Sequence, residues 1–521
     1  MRRILFLALC ASCGAVDLDP EDGVSTGRQR LVPLQTPCTF ASGSMTIVLA
    51  PGELGFLERR ASDSALLVNG DVCGTAPNIA KSTTATSATI TGDSVGSETM
   101  ILDYSNGLFL RGTAGATGIA INLLGGGSDA VQFRMSTSRD TVRAGANGID
   151  VSADNTRDVT LAGVAALTFT LGDGDDVFNA SYAGALGAPL TLPLTVFGGA
   201  GDDQLTGGDG NDTLNGDTGN DTLSGGASLI DSDVFVGAAG ADTVTYASRS
   251  TSVTITVGAG ADDGAATESD DVQSDVEIVI GGSAADTFTG TAGAQEFFGG
   301  AGDDVFLMGL LASTGAGADV IHGEAGIDTA DYSARLEAIT VTMDGVTAND
   351  GAGEGDDIEA DVEQLKCPTA AVACTVIGNL LDNVLFAGGG IDTLDGAAGD
   401  DTFVPAATLG ADRYIGGTGV DLVDFSGFGA ALDVRMDDVA STTHGKRIAN
   451  DVENLKCPTA SACTVLGNAG ANHVWGSTQS DSINGAGGDD LIETSGGSDT
   501  VDCGDGSDIL IGAATATACE L

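Results

Sequence analysis

Between Gly198 and Ser224 the chain reads GGAGDDQLT, GGDGNDTLN, GDTGNDTLS, three consecutive nonapeptides of the form G-G-x-G-x-D-x-U-x in which U is a large apolar residue. Glycine lets the first six residues of each unit take the positive-φ, close-approach conformations of a tight turn. The last three form a short strand with one inward apolar residue, Leu205, Leu214 or Leu223. The sixth-position residues Asp203, Asp212 and Asp221 then stand in line along the turn edge. Carboxylates beside free backbone carbonyls supply the all-oxygen surroundings that a hard cation such as Ca2+ requires.

In the same frame, with glycine at position four and aspartate at position six, the pattern returns at Asp392 and Asp401 and again at Asp490, Asp499 and Asp508. Asp481 extends the second run upstream, although its turn, GSTQSD, lacks the fourth-position glycine. Single turns of this kind carry Asp129, Asp176, Asp242, Asp304, Asp319, Asp328 and Asp421. These residues resemble the haemolysin-type calcium-binding repeat, the RTX family. The resemblance implies an all-β chain, a parallel β-roll or β-solenoid built from nonapeptide repeats. It implies that two same-side turns, eighteen residues apart, clamp one Ca2+ with backbone carbonyls and the sixth-position Asp. Carried onto this sequence, the expected metal ligands are Asp203, Asp212, Asp221, Asp242, Asp304, Asp392, Asp401, Asp481, Asp490, Asp499 and Asp508, with Asp203 facing Asp221, Asp481 facing Asp499 and Asp490 facing Asp508. The close match covers 27 residues, the three tight nonapeptides.

Composition agrees with a thin solenoid. Aromatics make up 4% and glycine 79 of 521 residues, so no thick, Phe-rich core is available. Lys+Arg number 20 against 74 Asp+Glu, a formal charge of −54, which argues against nucleic acid or an anionic membrane surface as partner and for cations. Bound Ca2+ would relieve the mutual repulsion, so metal binding and folding are expected to be coupled, with affinity on the order of 10⁻⁴ to 10⁻³ M as in extracellular modules.

The first thirteen residues, MRRILFLALCASC, combine Arg2 and Arg3 with an apolar run and end in a cysteine. They look like a lipoprotein leader with Cys13 as the acylated residue, an ordinary cleaved secretory leader being the alternative. The expected location is extracellular or cell-surface, on the outer membrane through a lipid anchor and with no other membrane contact. RTX proteins commonly leave without an N-terminal leader, and this chain departs from the family there. Setting Cys10 and Cys13 aside leaves eight cysteines. Proximity favours Cys38–Cys73, Cys367–Cys374, Cys457–Cys463 and Cys503–Cys519, one of roughly a hundred connectivities that eight cysteines allow. Zinc is disfavoured: no C-x-x-C occurs, and His322, His444 and His473 lie at no ligand spacing from the cysteines.

Along the chain, residues 14–36 read as a tether and 37–165 as an N-terminal β domain of strand-like runs separated by glycine turns. Residues 166–241 hold the tightest repeats. Three related modules follow, 242–327, 328–420 and 421–521. They open on DTVTYASRSTSVTITV, DTADYSARLEAITVTM and DLVDFSGFGAALDVRM, and each runs on to a Val-Glu: Val276-Glu277, Val362-Glu363 and Val452-Glu453, 86 and 90 residues apart. Such periods mean stacked modules of one solenoid. After Val-Glu the first module has a calcium-type turn, Gly281 to Asp286, where the other two have the loops CPTAAVAC and CPTASAC. A covalent clip is expected to replace a metal clip there, worth roughly 2–3 kcal/mol against the unfolded chain.

No catalyst is expected. The strings GVSTG at Gly23 and GDSVG at Gly92 match G-x-S-x-G, but that motif works only as a strand-to-helix elbow with a histidine in reach, and all three histidines lie more than 200 residues on. There is no HExxH and no phosphate-binding loop. Carboxylates in turns on a solvated edge are expected to lack the burial that tunes an acid/base pair. The expected function is an exported calcium-binding β-roll with a structural or surface-interaction role. Two rivals stand: a calcium-dependent adhesin or matrix protein whose partner is a glycan or another cell, and a hydrolase within 37–165 using Ser94.

Overall fold

The computed structural model describes residues 38–519 apart from positions 43, 51–52, 63–64, 70, 76–77, 82–84, 93–96, 111–117, 125–127, 183, 309–316, 346–350, 352–354, 408–409 and 513. The leader with Cys13, the tether and Ser94 lie outside the described residues. The described residues contain strands and turns and no helix. The chain divides into two compact units, Met1–Gly210 and Asn211–Leu521.

In the first unit the strands alternate between two mostly parallel sheets. Ser44–Val48 pairs with Ser87–Thr91, which pairs with Ile119–Asn122; in the other sheet Leu54–Arg59, Thr99–Asp103, Ala130–Arg134, Ala166–Asp173 and Leu194–Ala200 follow in order. Every second residue faces in. Met45 and Ile47 on one sheet, and Met100, Leu102, Val131, Phe133, Leu167 and Phe169 on the other, are buried. Register puts like on like: Phe133 lies opposite Phe169, and their rings stack at 4.6 Å. The coil therefore begins well before the first tight nonapeptide, held by parallel pairing where the glycine signature is sparse. Antiparallel hairpins such as Thr39–Ala41 with Ser44–Val48 decorate it.

The second unit repeats a smaller coil, two strands of mostly three residues each joined by six-residue turns. In most of these strands only the middle residue is buried, as in Val305–Leu307, Thr402–Val404 and Leu491–Glu493. The core is thus a single file, and the few aromatics are concentrated in it: Phe288, Phe306, Phe403 and Tyr414 are buried, with Phe288 and Phe306 stacked at 5.1 Å. One parallel sheet runs through all three modules from Val253–Thr256 to Ile509–Ile511. The sheet that partners it changes along the chain. Each module ends one sheet at a two-residue strand, Asp271–Val272, Asp357–Ile358 or Arg447–Ile448, and starts another at Val253–Thr256, Ile339–Thr342 or Leu432–Arg435. That exchange of sheets is the physical content of the long sequence period.

Candidate metal centre

An aspartate at turn position six carries its backbone N–H along the stack and its carboxylate on the same edge. Parallel register sets the two a coil apart, so the amide of one aspartate donates to Oδ1 of the next. In the first unit Asp140 donates to Asp176 (2.5 Å) and Asp176 to Asp203 (2.7 Å). In the second unit the long sheet carries Asp286 to Asp304 (2.6 Å), Asp304 to Asp328 (2.8 Å), Asn383 to Asp401 (2.8 Å), Asp401 to Asp421 (2.9 Å), Asn472 to Asp490 (2.8 Å) and Asp490 to Asp508 (2.9 Å). Other edges repeat it: Asp212 to Asp233, Asp233 to Asp270, Asp221 to Asp242, Cys374 to Asp392, and Asp481 to Asp499. The Val-Glu glutamates join the same rows, for Asp242, Asp328 and Asp421 each donate at 2.8–2.9 Å to Oε2 of Glu277, Glu363 and Glu453.

The second oxygen decides the chemistry. Oδ2 of Asp129, Asp176, Asp233, Asp242, Asp304, Asp328, Asp401, Asp421, Asp490, Asp499 and Asp508 is buried without a hydrogen-bond partner. Leaving a buried carboxylate oxygen unmatched costs several kcal/mol, and a row of them is an arrangement that a cation could complete. Glycine at turn position one makes the room. A Cβ on Gly396 would lie 2.0 Å from Asp401 Oδ2, and one on Gly485 would lie 2.2 Å from Asp490 Oδ2 and 2.3 Å from the Cys503 carbonyl. Over Gly416 and Gly323 the carboxylates of Asp421 and Asp328 likewise share the space with the carbonyls of Asp451 and Asp361. Carboxylate plus main-chain oxygen is the donor set of Ca2+, which takes roughly six to eight such ligands. Among the described residues no three His, Cys, Asp or Glu side chains converge on one point. A site fed mainly by backbone carbonyls would have that character, unlike the all-side-chain cages of transition metals.

The carboxylates are not on a solvated edge, contrary to the sequence-based expectation. Asp203, Asp401 and Asp490 are about as exposed as the core, at 1–2%. Neighbouring coils close over each turn, which isolated turns cannot reveal. Burial is the largest influence on their acidity; the donated amides oppose it and adjacent carboxylates reinforce it. The outcome is Asp203, Asp304 and Asp490 pushed up to about 6, Asp401 to about 7 and Asp233 to about 9.

The expected ligands fall into two kinds. Asp242, Asp304, Asp401, Asp490, Asp499 and Asp508 keep an unmatched oxygen. Asp392 and Asp481 do not: Asp392 accepts from Cys374 and Gly388, Asp481 from Cys463 and Ser477, one amide for each oxygen. Asp203 belongs to the first unit, where Asp176 donates to it; Asp212 and Asp221 belong to the second, where they donate to Asp233 and Asp242. Sequence reading passed over Asp233, because three extra residues in GGASLIDSD break the nonapeptide frame.

Disulfides join Cys38 to Cys73, Cys367 to Cys374, Cys457 to Cys463 and Cys503 to Cys519. Thr254 pairs with Thr287, Thr340 with Thr375 and Asp433 with Thr464, which makes Asp286, Cys374 and Cys463 equivalent residues. The second cysteine of each loop therefore occupies the sixth turn position, and its amide enters the carboxylate row as an aspartate's would.

A family model, the RTX calcium-binding nonapeptide repeat, matches residues 195–227, 275–309, 312–330, 377–407, 466–501 and 491–515. The matched stretches hold Asp304, Asp328, Asp401, Asp490, Asp499 and Asp508 and leave out Asp129, Asp176, Asp233, Asp242 and Asp421. No curated protein matches the chain.

Proposed function

We propose that this chain, which carries RTX calcium-binding nonapeptide repeats, is an exported β-roll whose folding is completed by Ca2+ and whose role is structural or surface-interacting rather than catalytic. One observation carries the reading: rows of buried aspartate oxygens with no hydrogen-bond partner, those of Asp242, Asp304, Asp328, Asp421 and Asp490 each above a turn glycine and beside a backbone carbonyl. Asp242, Asp304, Asp328, Asp401, Asp421, Asp490, Asp499 and Asp508 would hold the metal together with those carbonyls. The bound ion supplies the positive charge that lets the stacked carboxylates stay ionised while buried. The protein's own residues fix the rest: position-one glycines keep the space open, and the amide-to-Oδ1 bonds set coil spacing. Four disulfides support an oxidising compartment, and Cys13 is the proposed acylation site that holds the protein at the cell surface.

Calorimetric titration of the metal-stripped protein with Ca2+ tests this, read alongside far-UV circular dichroism. Binding of on the order of four to eight ions, with β signal rising over the same millimolar range, is expected. Absence of binding heat together with an unchanged spectrum would reject it.

A further inference from the structure

The long carboxylate row of the second unit is interrupted twice, at the same place in the second and third modules. Directly after Glu363 and Glu453, turn position six holds not aspartate but Asn383 and Asn472, and position two holds Asn379 and Asn468. The backbone is that of a metal turn. A Cβ on Gly378 would lie 2.3 Å from Asn383 Oδ1 and 2.6 Å from the Gly396 carbonyl, and Gly467 repeats this with Asn472 and Gly485. The chemistry is different. Asn379 Nδ2 donates to the carbonyls of Val362 (2.8 Å) and Ala360 (3.2 Å), while its Oδ1 accepts from Leu381 N (2.8 Å) and Asn383 Nδ2 (3.0 Å). Asn383 Oδ1 accepts from Asn379 N (2.9 Å), and its Nδ2 reaches the Glu363 carbonyl (3.4 Å). Asn468 and Asn472 repeat the set on Val452, Asn450, Gly470 and Glu453. All four side chains are buried, and their oxygens, unlike Asp401 Oδ2 or Asp490 Oδ2 one coil on, have partners.

A second position in the third module follows the same logic. Asp271, Asp357 and Arg447 donate to the carbonyls of Asp233, Asp319 and Asp412, which makes the preceding residues Asp270, Asp356 and Lys446 equivalent. Each ends a carboxylate row. In the first two modules the row ends on an acid that accepts the previous aspartate's amide. In the third it ends on Lys446, whose ammonium is wholly buried and 2.7 Å from Asp412 Oδ2.

We propose that these are metal-free seams: amide N–H groups at Asn379, Asn383, Asn468 and Asn472, and the ammonium of Lys446, take the cation's part. The coils at 362–386 and 446–475, which also carry Cys367–Cys374 and Cys457–Cys463, keep their register without calcium. The coils on either side wait for it. The seams are the fixed ends on which metal-driven stacking starts. This rests on the calcium-coupled reading above.

Hydrogen exchange read by mass spectrometry, on the full oxidised chain in calcium and in chelator, separates the possibilities. Peptides within 362–386 and 446–475 should hold their protection in chelator, within a few-fold, while those within 296–307, 393–404 and 482–511 lose it. Seam peptides losing protection as completely as the rest would overturn the seams and leave calcium-coupled folding standing. Exchange unaffected by calcium everywhere would overturn both. As a second check, Lys446→Met, which removes the ammonium from Asp412 Oδ2, should lower the protection of peptides within 446–456 in chelator while those within 362–386 keep theirs. Protection unchanged at both places in the Lys446→Met protein would overturn the assignment of Lys446.

Discussion

A sixth-position aspartate does one of two jobs, and its second oxygen tells which. Asp490 Oδ2 is buried and unmatched, whereas both oxygens of Asp392 receive backbone amides. Asp490→Ala should therefore cost calcium, lowering the measured stoichiometry by about one ion, while in chelator the stranded amide of Asn472 is offset by removal of the unmatched oxygen. Asp392→Ala should do the reverse. It strands the amides of Cys374 and Gly388, which costs about 1–3 kcal/mol in chelator and in calcium alike. Titration calorimetry and thermal melts on the pair check this; equal calcium loss in both variants would erase the distinction. Acidity adds a second expectation. Burial pushes Asp304, Asp421 and Asp490 up to about 6 and Asp328 and Asp401 up to about 7, above the ordinary 3.8. From about pH 4 to 7 the folded state then binds more protons than the unfolded chain, so its stability falls as pH rises. Metal-stripped protein should melt at progressively lower temperature across that window, and saturating calcium at pH 7 should restore what was lost. A melting temperature that rises from pH 4 to 7 without metal would contradict the burial of these groups.

At the scale of the turn, glycine holds a volume open and a disulfide holds a loop closed. Gly396→Ala would set a methyl 2.0 Å from Asp401 Oδ2, and the carboxylate must leave. Calcium affinity and stability should both drop, while Gly427→Ala, with nothing within 4 Å, should stay within about 0.5 kcal/mol of the parent. Replacing Cys367 and Cys374 together by serine should cost about 2–3 kcal/mol by the loop-entropy argument, measurable by urea unfolding. The turn is also where sequence and structure part company. Strand, turn and parallel stacking could be read from the nonapeptides because one local pattern fixes backbone, register and inward residue together. The place of Asp304, Asp401 and Asp490 in the carboxylate rows was legible for the same reason. Asp233 was not, since an insertion shifts it out of frame, nor were Glu277, Glu363 and Glu453, whose place in the rows depends on which coil they stack upon. Asp392 and Asp481 look like Asp401 in sequence, and only the amide that reaches Oδ2 from within the turn sets them apart. The coils before residue 166 carry the turn pattern only at Asp129, so parallel pairing there is a tertiary fact.

For the whole chain the governing quantity is charge. A formal −54, with carboxylates stacked coil upon coil, opposes closure of the turns, and one inward side chain per strand offsets little of the chain entropy, about 1–2 kcal/mol per residue. Simple screening is a weak remedy, because the stacked carboxylates are buried and salt acts mainly on exposed charge. A site-bound divalent ion is the strong one. Trp475, the only tryptophan, sits where this can be watched. Its strand, His473–Trp475, follows the Asn468–Asn472 seam and pairs with Leu491–Glu493, the strand after the Asp490 turn. The indole packs on His473 at 3.5 Å and under the Lys456 ammonium at 5.5 Å, and it lies opposite Glu493. One neighbouring coil is thus held by the seam and the other by metal. In chelator the Leu491–Glu493 coil should be loose and the indole wetter. Adding calcium should shift the emission to shorter wavelength cooperatively, in step with the gain of β signal, and Asp490→Ala should weaken the response. Magnesium should do little, because it demands tight octahedral geometry and parts reluctantly with its waters. Raising NaCl to match the ionic strength should do less still. An emission shift reproduced in full by sodium or magnesium would mean that the coils close by screening alone, and that the unmatched oxygen of Asp490, in the turn before the neighbouring strand, is not a calcium ligand.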